Sequence, residues 1–132
     1  MNLKAKGTNA ERELIHLFWS KGWAAVRVAG SGSSSYPNPD ILAGNKLRRF
    51  AVECKVTGED KKYLSEDDLL QLKNFCDTFG AEPLFAVKLN RGGKWLFLMP
   101  EDLEKTEKGY VISSETASRR GVSFEELIEF TL

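Results

Sequence analysis

An α/β fold, with a mixed central β-sheet flanked by α-helices, is what this 132-residue sequence predicts. Three observations lead there. Apolar residues recur at helical period in two segments: Leu14, Ile15, Leu17 and Phe18, then Leu69, Leu72, Phe75, Cys76 and Phe79. Between these segments Phe50, Val52 and Cys54 alternate with Ala51, Glu53 and Lys55, the period of a strand. Beyond the second segment, residues 83–89 and 95–99 are short apolar runs separated by the turn Asn90-Arg91-Gly92-Gly93.

The first helix is expected over residues 9–21. Thr8 and Glu11 stand at capping-box spacing at its start, and Gly22 is placed to end it. A strand over 23–28 follows. Residues 30–39 form a small, polar Gly/Ser loop that ends in Pro37-Asn38-Pro39. Order returns in a short strand over 40–43, Gly44-Asn45 turns the chain back, and a strand runs over 49–56. Residues 58–62 read as a charged loop. Ser65 caps the second helix, which Gly80 stops. A short helical turn is expected over 100–105, and Ser123 with Glu126 opens a last short helix. No local pattern decides the stretch around Tyr110. The order is α–β–β–β–α–β–β with a late helix. No repeat or linker divides the chain, so residues 1–132 read as one domain.

Composition bounds the function. A hydrophobic fraction of 42% and a charged fraction of 29% describe a globular chain. No apolar run approaches the roughly 20 residues of a membrane span, and the N-terminus lacks the apolar core of a signal peptide, which points to the cytoplasm. Cys54 and Cys76 sit in apolar patterns and read as small core residues, without the neighbours that a metal site needs. His16 lies beside core positions of the first helix and reads as a boundary residue in preference to a general base. Net charge is zero, but its distribution is uneven. Residues 1–62 carry eleven Lys/Arg against six Asp/Glu, and residues 63–132 carry eight against thirteen. Such asymmetry suggests a basic face for a polyanion.

Asp40 opens one strand directly after a proline, while Glu53 and Lys55 project from one face of the next. The turn at Gly44-Asn45 lays the two strands side by side, so the three groups are expected to converge at one end of the sheet. A phosphodiester is an anion that resists hydroxide. Hard carboxylate oxygens can hold a divalent cation beside it, and an ammonium can orient water or offset developing charge.

Pro39-Asp40, twelve intervening residues, then Glu53-Cys54-Lys55 matches the Pro-Asp…(Asp/Glu)-x-Lys nuclease pattern. Four further features accompany it: Lys6-Gly7 before Ala10-Glu11-Arg12-Glu13-Leu14, Arg27 before Ala29-Gly30-Ser31-Gly32, Asp40-Ile41 leading into Ala43-Gly44-Asn45, and Gln71-Leu72 with Phe75 before Phe79-Gly80-Ala81. Together they resemble the archaeal Holliday junction resolvases, from about Lys6 to Lys88 and more loosely to the end.

That resemblance implies a restriction-endonuclease-like fold and a Mg²⁺-dependent endodeoxyribonuclease in which Mn²⁺ can substitute. It implies a homodimer that nicks two opposed strands of a four-way DNA junction in recombination and repair, with neither a membrane nor a small-molecule substrate as partner. It assigns Glu11, Asp40 and Glu53 to the metal and Lys55 to catalysis. Ser31 is similar to a serine implicated in chemistry or strand positioning, although the 30–39 loop is longer here than in some relatives. Arg12 and Arg27 match basic residues that contact DNA. Gln71 resembles a position near the active site, or is an exposed helix residue.

Lys4, Lys6, Lys46, Arg48, Arg49, Lys61 and Lys62 are candidate phosphate contacts, and with Ser31 make up the expected DNA surface. Phe85, Trp95, Phe97, Phe124 and Phe130 contain candidates for a dimer interface, most of them expected in the core. Two other readings use the same residues. One is a nuclease of this fold with another substrate, such as a restriction or repair enzyme. The other is a non-catalytic DNA-binding module, against which the presence of all three acids and the lysine argues.

Overall fold

Two apolar faces of one sheet organise the molecule. The computed structural model describes residues 3–28 and 36–129, with side chains described from residue 8. Helix α1 (Leu3–Ser20) is followed by strands β1 (Ala24–Arg27), β2 (Ile41–Gly44), β3 (Arg49–Val56) and β4 (Lys61–Ser65). Helix α2 (Glu66–Phe79), β5 (Glu82–Lys88) and β6 (Leu96–Leu98) come next. A 3-10 turn at Pro100–Asp102 leads into β7 (Glu104–Lys105), β8 (Gly109–Ser113), α3 (Ser114–Arg120) and α4 (Phe124–Glu129).

The central sheet has the order β1-β2-β3-β5-β6. Its β1–β2, β2–β3 and β5–β6 pairs are antiparallel, and β3–β5 is parallel. A parallel neighbour cannot be reached by a tight turn, so the chain crosses over through β4 and α2 before β5 comes to lie beside β3. One face of the sheet buries Phe50 and Val52 with Leu14 and Phe18 of α1 and Phe124 of α4. The other buries Ala51 and Phe85 with Leu64, Leu69, Leu72 and Cys76. The alternation in β3 thus serves both layers. Trp23 stacks on Phe50 at 5.5 Å, inside the α1 layer.

Most local expectations hold. Ser65 and Asp68 form the capping box of α2, and Gly80 ends that helix at φ 88°. Gly22, at φ 81°, follows α1. Ser123 and Glu126 exchange hydrogen bonds of 3.1 Å at the start of α4. The start of α1 differs: the helix begins at Leu3, so Thr8 and Glu11 lie within it and make no cap.

A second sheet, β4-β8-β7, was not anticipated. Lys61 and Lys62, expected in a loop, pair with Ser113 and Ile112 of β8. The expected helical turn over 100–105 is 3-10 only at Pro100–Asp102 and then enters β7. Pairing partners distant in sequence decide these short polar strands, and no local period announces them.

Candidate active site

Asp40 is held where three strands meet. Its N–H donates to Val52 O at 3.0 Å, and its carbonyl accepts from Val28 N–H at 2.9 Å. Its Oδ2 accepts from Cys54 N–H at 2.8 Å, which turns the carboxylate across the C-terminal half of β3. Pro39, buried just before it, restricts the preceding Asn38 to extended backbone. Antiparallel pairing of Ile41 with Val52 then sets Asp40 next to Glu53.

Glu53 and Asp40 share a side-chain hydrogen bond. Burial pushes the Glu53 carboxyl up to about 8, the Asp40 charge adds to this, and the Lys55 ammonium opposes it. Two neighbouring carboxyl groups do not both ionise readily, so the Asp40 charge adds to the effect of burial on Glu53. Lys55 lies two residues along the same strand face, half-buried, and its charge reaches Glu53.

Glu11 approaches from α1. Burial raises its carboxyl above the usual value, a hydrogen bond from Arg27 lowers it, and the charge of Asp40 raises it. Arg27 Nε donates to Glu11 Oε1 at 2.8 Å. Cys54 lies among the acids: burial raises its thiol well above the ordinary value, and Asp40, Glu11 and Glu53 all add to the shift. The charges of all three acids thus reach Cys54 of β3.

They do not form a ready three-carboxylate cluster. Among the described residues, no group of three or more His, Cys, Asp or Glu stands so that it could hold an ion. The physical reason is visible in the partners. Asp40 and Glu53 are joined by their shared hydrogen bond, while Glu11 is turned onto Arg27. The donor set fits a hard divalent cation. The Asp40 and Glu53 carboxyl groups adjoin, and a cation between them would offset the repulsion of two ionised carboxylates. Glu11 would join by rotating from Arg27.

The expected cations divide into two groups. Arg27 and Lys55 lie at the site. Arg12 is exposed on α1 and reaches Asn9 Oδ1 at 3.4 Å. Lys61 and Lys62 follow the loop that leaves β3 just beyond Lys55. Lys46 and Arg48 are instead in the β2–β3 turn at the opposite end of β3 from Glu53. Arg48 forks onto Glu82 with two bonds of 2.7 Å and lies 4.7 Å from the Phe50 ring, an arrangement that pins the turn to β5. The Arg48 guanidinium is thereby engaged by a partner within the chain. Arg49 likewise donates to Gly80 O at 3.1 Å. Ser31 and the side chains of Lys4 and Lys6 lie outside the described residues. Gln71 is exposed and donates to Asp67 at 2.7 Å.

Sequence reasoning missed a second cluster at this end of the sheet. Glu13 Oε1 accepts from Lys88 Nζ and from Trp95 Nε1, both at 2.9 Å, and Lys88 lies 5.3 Å from the Trp95 ring. The parallel register of Val56 with Lys88 was the hidden signal.

Comparison with known proteins decides the family. The model of the archaeal Holliday junction resolvases (Hjc) matches residues 2–131. The chain belongs to the archaeal Holliday junction resolvase family. One relative of this family member is the crossover junction endodeoxyribonuclease Hjc of Archaeoglobus fulgidus, 44% identical over 131 residues, covering 94% of this chain and 96% of the relative. Another, Hjc of Methanocaldococcus jannaschii, is 36% identical and covers 93% of this chain and 86% of its own. The solved structure of A. fulgidus Hjc, a Holliday junction resolvase, matches with a TM-score of 0.86 at 41% identity, over 94% of this chain and 99% of that one. The likeness extends to the mixed central sheet and its flanking helices.

Proposed function

We propose that this chain is a structure-specific endodeoxyribonuclease that resolves four-way DNA junctions by hydrolysing phosphodiester bonds in opposed strands, in recombination and repair. The observation that carries the chemistry is the Asp40–Glu53 pair, thirteen positions apart, joined at one strand end with Lys55 beside it. Such a pair is costly to bury unless it serves a bound cation or a proton transfer.

Asp40 and Glu53 hold Mg²⁺, or Mn²⁺ in its place, and Glu11 completes the set. When bound, the ion polarises a phosphoryl oxygen and acidifies an attacking water. Lys55 places its ammonium against the charge that develops on the phosphate, and orients the water. Arg27 holds Glu11 until the carboxylate is needed, and its outward face offers a phosphate contact. Arg12, Lys61 and Lys62 extend the cationic surface away from the cut. Ser31 is assigned to strand positioning.

Nicking two opposed strands calls for two sites related by symmetry, so the active form is a homodimer. Of the aromatic residues that contained interface candidates but were mostly expected in the core, Phe85, Trp95, Phe97 and Phe124 are buried, and Phe130 lies outside the described residues. Exposed apolar residues support a different surface. Val26 and Phe79 border an open apolar groove of about 320 Å³ against the outer faces of β1 and β2. Among the described residues no helix is long and apolar enough to cross a membrane.

The test is incubation of the purified chain with labelled four-way, Y-shaped and linear DNA, with Mg²⁺ or with EDTA. Paired cuts in the four-way substrate alone, abolished by EDTA, are expected. Equal cutting of linear duplex would point to a repair or restriction substrate instead.

A further inference from the structure

A groove of about 520 Å³ opens beside the cutting site, between α1 and the turn that joins β5 to β6. Its lining includes Asn9 and Glu13 of α1, Thr57 just past β3, and Lys88, Asn90 and Arg91 at the end of β5. The groove is built to keep its shape. Thr57 N–H donates to Lys88 O at 3.1 Å, and Asn90 N–H donates to Glu59 O at 3.0 Å, so the loop after β3 and the turn after β5 are stitched together. Asn90 takes φ 62°, a left-handed conformation that asparagine tolerates better than most residues. A Cβ at Gly93 would meet Leu89 O at 1.9 Å, so the turn closes only with glycine there.

The charges of the groove are not equivalent. Glu13 is neutralised by Lys88 and by the Trp95 indole N–H. Arg91 is exposed at the groove's outer lip, and among the described residues no hydrogen bond, ion pair or ring contact occupies it. A rigid turn that offers one unengaged guanidinium beside a neutralised wall suits a phosphate oxygen, because the contact requires no ordering of backbone.

Position agrees. Val87 lies opposite Lys55 in the parallel β3–β5 register, and Arg91 lies four residues further along the chain. At about 3.3 Å per residue Arg91 is at most about 13 Å from Val87, and the strand spacing of about 5 Å puts it within about 18 Å of Lys55. One strand advances about 3.4 Å per nucleotide, so the reach is up to about five nucleotides.

We propose that this groove carries the DNA strand away from the cut, with Arg91 contacting a backbone phosphate within about five nucleotides of the scissile bond. The proposal rests on the nuclease reading above. Asn9 and Thr57 supply uncharged polar walls along the path, and no base is read.

The test uses the full-length protein and a four-way junction with Mg²⁺ replaced by Ca²⁺ for binding. Arg91→Ala is expected to weaken binding about three- to tenfold and to reduce the slope of log affinity against log salt by about one. Its melting temperature stays at the wild-type value, and its cutting in Mg²⁺ at subsaturating DNA falls in proportion to the loss of binding. Arg91→Lys restores most of the slope. A methylphosphonate at one position within about five nucleotides of the cut, scanned on both sides, weakens wild-type binding and adds nothing to the loss in Arg91→Ala. An unchanged slope in Arg91→Ala, or methylphosphonate losses equal in both proteins at every position, overturns the groove as a strand path. Failure of the wild type to bind and cut the junction in the same titration overturns the nuclease reading itself.

Discussion

The Arg27 guanidinium donates to the Glu11 carboxylate at 2.8 Å, joining strand β1 to helix α1 beside Asp40. The pair is unevenly exposed, with 43% of the Arg27 side chain open to solvent and 17% of that of Glu11. An arginine so placed can serve DNA on its outer side while restraining an acid on its inner side. Arg27→Ala is expected to weaken junction binding and make it less salt-dependent, by about one unit of slope. The stability loss is about 1 kcal/mol or less, since a half-exposed ion pair contributes little and the freed Glu11 can take up a proton. Filter binding across a salt series, with melting curves alongside, checks both.

Asp40→Asn keeps the shape of the side chain and removes its charge. Cleavage in Mg²⁺ is expected to fall by on the order of a thousandfold, because a metal supplies several kcal/mol to such a transition state and each 1.4 kcal/mol is tenfold in rate. Junction affinity changes little. Single-turnover cutting and gel-shift titration of the same preparation separate the two, and wild-type cutting by the variant removes Asp40 from the site.

Glu53 makes stability depend on pH in a stated direction. Its folded carboxyl titrates near 8, above the ordinary 4.5 of the unfolded chain. Between those values the folded protein holds a proton that the unfolded chain has lost, so stability falls as pH rises from about 4.5 through about 8. In EDTA the melting temperature is therefore expected to decline across that window, and Glu53→Gln to flatten the decline. Mg²⁺ opposes it at the alkaline end by favouring the ionised carboxylate. A metal-free melting temperature that rises from pH 5 to pH 8 contradicts the assignment.

Arg48 provides the contrast. Its fork onto Glu82 lies at the far end of β3 and ties the β2–β3 turn to the start of β5. Arg48→Ala is expected to lower stability by about 1–2 kcal/mol, including the lost packing over Phe50, and to leave the salt slope of DNA binding unchanged. Urea unfolding and a binding series distinguish this from a DNA contact.

Phe79 is 53% exposed at the rim of the apolar groove on β1 and β2. Phe79→Asp is expected to shift the protein from dimer to monomer in sedimentation, with paired nicking lost and secondary structure retained. A dimer that persists at the same concentration moves the interface elsewhere.

Much of the site was legible in the sequence because strand geometry is local. The proline before Asp40, the Gly44-Asn45 turn and the two-residue period of β3 suffice to bring Asp40, Glu53 and Lys55 to one strand end. The Thr8–Glu11 spacing misled about the helix start, since a helix continued into preceding residues does not need that cap. The ion pair of Arg48 with Glu82, thirty-four positions away, left no local mark in the sequence. The Glu13–Lys88–Trp95 cluster and the sheet of β4, β8 and β7 also depend on partners distant along the chain. Patterns within a short window carry no trace of such pairings.

The parallel seam between β3 and β5 has a consequence for biosynthesis. Asp40 and Glu53 both emerge from the ribosome before residue 60, yet the strand bearing Glu53 stays unpaired on one side until residues 82–88 arrive and swing into register. Joining such separated segments is the slow part of folding. A nascent or truncated copy ending before β5 therefore has its acids but lacks the strand that flanks Glu53 on its second side.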